Sequence, residues 1–180
     1  MRKKLGDVFE VLLGDGRKAA FQYVANDSAQ LGADVIQVSR CRWSRDTEAS
    51  VILADLRMDF QVDFFLRTTV KLGLRDGSWT KIGSLPFSSD YQSVWFKTSS
   101  DYGFGTSVTT SSRWRVFRVN QPLVEYGPVP AAVLPKEHLL DELGHMFSTA
   151  SVRHRIEFGV YRGFHPQPTC GIDPKINNRV

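Results

Sequence analysis

The stretch Phe60-Gln61-Val62-Asp63-Phe64-Phe65-Leu66-Arg67-Thr68-Thr69-Val70-Lys71-Leu72-Gly73-Leu74 decides the fold class. Phe60, Val62, Phe64, Leu66, Thr68, Val70, Leu72 and Leu74 fall on one side of an extended chain. Gln61, Asp63, Arg67, Lys71 and Arg75 fall on the other. Side chains alternate across a strand, so a period of two held this long predicts a strand buried on one face and bent along its length. Asp76-Gly77 follows, a pair that tolerates the geometry of a tight turn. The chain is therefore expected to return as a hairpin through Trp79-Thr80-Lys81-Ile82.

Working outward, the same alternation recurs. Phe9, Val11 and Leu13 share a face, Gly14-Asp15-Gly16 supplies a turn, and Phe21, Tyr23 and Ala25 share a face on the return. Further strands are expected at 34–38, at 113–119 and at 152–161, where Val152, His154, Ile156, Phe158 and Val160 alternate. One helix is expected over 136–147: Pro135 suits its start, and Leu139, Leu140, Leu143, Met146 and Phe147 recur at helical spacing. Between these, 88–112 reads as a long loop rich in Ser, Thr and Gly and studded with aromatics. The expected architecture is mainly β (α+β): a curved antiparallel sheet or partly open barrel with one helix in the C-terminal half, forming a single domain over 1–180.

Composition bounds the class. A chain of 180 residues with 42% hydrophobic and 12% aromatic side chains has material for a core and is not intrinsically disordered. No apolar run approaches the roughly 20 residues that span a bilayer. The basic start, Arg2-Lys3-Lys4, lacks the apolar run of a secretory signal. Cys41 and Cys170 show no metal-ligand spacing, so reduced thiols in the cytoplasm are expected. The net charge of +4, from 23 basic and 19 acidic residues, is spread along the chain rather than gathered into a nucleic-acid-binding tail.

No catalytic constellation emerges, and neither a cofactor nor a metal is expected. His138 and His145 are seven apart on the expected helix, not at the i, i+4 spacing of metal-binding helices. His154 lies on an apolar face, and His165 has no orienting partner in sequence. Ser78-Trp79-Thr80-Lys81 matches SxxK, but on a strand positions i and i+3 face opposite ways. Gly103-Phe104-Gly105 lacks the third glycine and the strand-to-helix setting of a dinucleotide loop. The chain reads as a non-enzyme.

Arginine and tryptophan interleave at 40–45 and 113–118. In extended chain Arg113 and Arg115 project to one face while Trp114 and Val116 project to the other. A single-strand binder needs aromatics and cations on the same exposed face, so nucleic-acid binding is the secondary reading.

Two segments carry a resemblance. Lys4-Leu5-Gly6-Asp7-Val8-Phe9-Glu10-Val11 followed by Gly14-Asp15-Gly16-Arg17-Lys18-Ala19-Ala20-Phe21-Gln22-Tyr23 resembles the opening strand and hairpin of the bacterial immunity protein 26 family. Asp76-Gly77-Ser78-Trp79-Thr80-Lys81-Ile82-Gly83, with Pro86-Phe87 after it, resembles that family's GxWxxIG hairpin. The matches come in the family's order and cover roughly the first half of the chain. The resemblance implies a cytoplasmic immunity protein whose partner is the cognate toxin domain of a polymorphic or contact-dependent system. Trp79 and Gly77 are expected to be structural.

Aromatic and arginine side chains dominate interface hot spots, so Tyr91, Trp95, Tyr102 and Phe104 are the candidate toxin contacts, with Trp43 and Arg45 behind them. Inhibitors of nucleases are commonly acidic, and +4 does not fit that expectation. Either the toxin is not a nuclease, or a local patch of Asp55, Asp59 and Asp63 meets it.

Overall fold

A computed structural model describes residues 3–87, 91–99, 113–126 and 142–160. The chain opens with β1 (Asp7–Leu12), β2 (Lys18–Asp27) and β3 (Ala33–Trp43), a meander in which β1 pairs β2 and β2 pairs β3, all antiparallel. The Gly14-Asp15-Gly16 turn closes the first hairpin as its sequence predicts. Helix α1 (Ala49–Met58) follows, then β4 (Val62–Thr68), helix α2 (Val70–Asp76) and β5 (Trp79–Ser84). Later come β6 (Trp95–Ser99), β7 (Trp114–Arg118) and β8 (Val124–Tyr126). The two-residue strands β9 (Glu142–Leu143) and β10 (Met146–Phe147) lead into helix α3 (Thr149–Phe158).

Strands dominate, and they form two sheets that do not close: β10-β4-β3-β2-β1-β5 and β8-β7-β6-β9. Pairing is antiparallel except at two edges, where β10 runs parallel to β4 and β9 parallel to β6. Register shifts in β1, β2 and β3 insert bulges, which bend strands and raise their twist.

The first sheet is buried on both faces. On one, Phe9, Phe21, Ile36, Val38 and Leu66 pack with Val70 of α2, Phe147 of β10, and Val152 and Ile156 of α3. The opposite face is shared. Ile52 and Leu56 of α1 cover Val8, Ala20 and Trp43, while Phe96, Phe117 and Val119 of the second sheet cover Val24, Ala25 and Val35. Burying a side chain such as Phe96 or Phe117 stabilises by about 1.5–3 kcal/mol. Trp79 is buried as expected, edge-on to Phe21 with ring centroids 4.9 Å apart.

Several expectations need correction. The alternation over 60–74 is not one strand: it breaks at Thr69 into β4 and α2. The buried carboxylate of Asp34, on β3, accepts from the Val70 amide at 2.8 Å and so caps a helix whose own N-cap side chain makes no capping bond. Gly77 (φ 75°) ends that helix rather than turning a hairpin, and β5 pairs with β1, not β4. Helix α1 and strand β6 had no counterpart in the sequence reading.

The helix expected over 136–147 is also overturned where it can be followed. Residues 136–141 lie outside the described residues, and 142–147 run as β9 and β10. A side chain at Gly144 would place Cβ 2.6 Å from the Phe117 ring, so the backbone between β9 and β10 lies directly on that ring. The strand expected from Val152 is instead α3, started by Ser148, whose hydroxyl accepts from the Ser151 amide at 3.3 Å.

Candidate functional site

The second sheet and the turn before β6 bring together two of the expected contact residues, Trp95 and Tyr91. Trp95 of β6 stands directly opposite Arg118 of β7, so alternation puts both on the face turned away from the first sheet. Their neighbours Phe96 and Phe117 take the other face and stack in the shared core with centroids 5.7 Å apart. The Arg118 guanidinium lies over the Trp95 ring, 4.4 Å from its centre. Such a cation–π contact contributes about 0.5–1 kcal/mol at an exposed site.

Trp95 and Arg118 border a hollow of about 700 Å³, walled also by Tyr91, Pro122 and Val124. Tyr91 is half-buried, its ring 5.9 Å from that of Phe87. Among the described residues, the hollow's lining holds one cation and no carboxylate. Its floor is the turn after β7, where Asn120 adopts φ 60°. Asn120 accepts from the Ser28 amide at 2.8 Å and its hydroxyl at 3.0 Å, and donates to the Asn26 carbonyl at 3.1 Å. Its own amide donates to Asp27 at 3.0 Å. Four bonds thus clamp the floor to the end of β2 and to Ser28 just after it, and the wall side chains project from a fixed backbone.

Beneath the floor, Asp27 and Arg67 form a buried ion pair at 3.3 Å. Arg67 also donates to the carbonyls of Gly144 and Gln30 and lies 4.8 Å over the Phe117 ring. Burial pulls its pKa down and the Asp27 charge pulls it back up, leaving it below the ordinary guanidinium value. The groups surrounding it keep the charge solvated inside the protein.

The remaining expected residues do not converge here. Tyr102 and Phe104 lie outside the described residues, as do His138 and His165. Trp43 is in the core against α1, and its indole donates to Asp55 at 2.8 Å. Arg45 is exposed just beyond β3. Asp59 accepts from the Gln61 amide at 2.6 Å, and Asp63 pairs with Arg42 at 3.8 Å. Each of the three aspartates of the postulated acidic patch is therefore engaged by a neighbour.

On β7, Trp114 is buried while Arg115, on the opposite face, pairs with Glu125 of β8 at 2.5 Å. Arg118 is the residue of this hollow that the candidate contacts read from sequence do not include. Its strand alternation was legible, but its partner Trp95 lay in a segment read as loop.

Among the described residues no three His, Cys, Asp or Glu side chains converge as metal ligands would. No described helix is long and apolar enough to cross a membrane. Comparison with family models, with curated proteins and with solved structures returns no match.

Proposed function

We propose that this chain is an inhibitory protein-binding module, an immunity protein that occupies a cognate bacterial toxin domain in the cytoplasm of the producing cell and performs no chemistry itself. The observation that carries the reading is the convergence of Tyr91, Trp95 and Arg118 around one open hollow on a clamped floor. These are the residue types that dominate interface hot spots, because they cover large area with little rotamer freedom to lose. A pre-set backbone lowers the ordering cost of association further. The resemblance of 4–23 and 76–83 to the immunity protein 26 family supplies the class of partner.

The secondary reading, a single-stranded nucleic-acid binder built on Arg113, Trp114 and Arg115, draws less support. A stacking platform needs its aromatic exposed, and Trp114 is buried; a phosphate-tracking arginine needs to be available, and Arg115 is held by Glu125.

Growth rescue tests the inhibitor reading. The C-terminal domain of the protein encoded immediately upstream is expressed in a neutral bacterial host with and without this chain. Toxicity relieved by this chain, and not by an unrelated immunity protein, is the expected result. A neighbour that stays lethal despite good expression of this chain, or one that is harmless alone, overturns it.

A further inference from the structure

We propose that the hollow bordered by Trp95 and Arg118 takes a carboxylate-bearing, apolar-flanked segment of the toxin, so that the inhibitor grips an acidic surface of its partner rather than mimicking a phosphate. The inference rests on the inhibitor reading above and deepens it by naming the chemistry of the contact.

The argument begins with charge. Arg118 is exposed and makes no ion pair with any described carboxylate, whereas Arg115, three residues earlier on the same strand, is paired with Glu125. Stacking on Trp95 fixes the plane of the Arg118 guanidinium and leaves its N–H edge for a ligand. A planar fork held in this way matches a carboxylate with two parallel hydrogen bonds. The polar ends of Asn120 are already committed to Ser28 and Asn26, so recognition at this point falls to the guanidinium.

The walls select what flanks the carboxylate. Tyr91, Trp95, Pro122 and Val124 present ring and aliphatic surface, and Val124 is 45% exposed. An acidic side chain next to an apolar one satisfies both parts of the site. A nucleic-acid backbone needs successive cations along its track, and among the described residues of this lining Arg118 is the lone cation. Asp55 of α1, Asp59 at its C-terminal end and Asp63 of β4 do not border this hollow, so the contact drawn here does not involve them. The net charge of +4, awkward for an inhibitor that covers a nuclease cleft, suits an acidic contact.

The test measures binding of the full chain to the upstream protein's C-terminal domain by titration calorimetry, with circular dichroism melts to verify folding. Arg118→Glu is expected to weaken binding roughly 30-fold or more, and Trp95→Ala roughly tenfold. Should Trp95→Ala fail to fold, Arg118→Glu at its exposed position carries the test. Substituting the toxin's exposed Asp and Glu residues one at a time by Lys is expected to find one that restores binding to Arg118→Glu. If wild type binds and rescues growth while Arg118→Glu does so equally well, this proposal falls and the inhibitor reading stands. No binding and no rescue by wild type overturn both. A labelled oligothymidylate that binds wild type and is lost with Arg118→Glu assigns the hollow to nucleic acid and also overturns the proposal.

Discussion

Tyr23 is buried on β2 with its hydroxyl against Asp34 and Lys3 4.9 Å above its ring. Burial, and then the charge of Asp34 and the hydrogen bond to it, push its pKa up to about 12 from 10.0. An unfolded tyrosine ionises first, so this contribution to stability is complete below pH 10 and is lost as pH rises through 12. The shift corresponds to roughly 2–3 kcal/mol. Wild-type unfolding free energy should therefore fall more steeply between pH 10 and 12 than that of Tyr23→Phe; parallel curves in urea titrations would remove the assignment. Gly73 makes a second residue-scale case. A Cβ there would sit 2.2 Å from the Trp79 ring, and that ring is wedged against Phe21. Gly73→Ala gains helix propensity yet should destabilise by about 1–3 kcal/mol through overpacking. A melting temperature equal to or above wild type would show that the indole can move aside.

At the scale of the element, the turn after β7 holds the floor of the hollow through one side chain. Asn120→Gly keeps the positive φ accessible while deleting the bonds to Ser28 and Asn26, so its loss isolates the clamp. About 1–3 kcal/mol of stability should go, and the Ser28 amide should exchange its hydrogen faster; unchanged exchange would mean the turn is held by other contacts. Which elements were legible in sequence follows from where their determinants lie. The β1–β2 hairpin, the inward Trp79 and the alternation of β7 rest on local period and turn chemistry, and these were readable. The split of 60–74 was not, because Val70, Leu72 and Leu74 fit either period and the deciding cap comes from Asp34, thirty-six residues away in the chain. Helix α3 shows the same ambiguity. Val152 and Ile156 are buried at i, i+4 while Phe158, counted as inward on a strand, is 59% exposed. The Ser148 cap was the signal that could have decided it. In the sequence, residue type alone marks Tyr91 and Trp95. Their convergence with Arg118 depended on a cross-strand pairing between segments that only the folded chain brings together.

For the whole molecule, the question is what makes two open sheets behave as one body. Their shared apolar layer joins Val24, Ala25 and Val35 to Phe96, Phe117 and Val119. The segment 142–147 then passes from one sheet to the other, β9 pairing with β6 and β10 with β4. Arg67 sits where these meet: it reaches Asp27 on β2, the Gly144 carbonyl between β9 and β10, and the Phe117 ring on β7. A buried pair of this kind adds little net stability over an apolar replacement, but removing one partner strands the other. Arg67→Met should thus cost about 3–5 kcal/mol, since buried Asp27 loses its ion-pair partner and two carbonyls lose their donor. The double variant Arg67→Met/Asp27→Asn should be less destabilised than Arg67→Met alone, because the unpartnered buried carboxyl group is gone. Wild type should unfold in a single transition when followed by both tryptophan fluorescence and far-ultraviolet circular dichroism, with Trp95 and Trp114 reporting on the second sheet and Trp43 and Trp79 on the first. Two separated wild-type transitions, or a double variant as unstable as the single, would mean that Arg67 does not couple the sheets. The hollow above it would then open and close independently of the first sheet's core, and binding there would carry an ordering cost that the clamped floor otherwise removes.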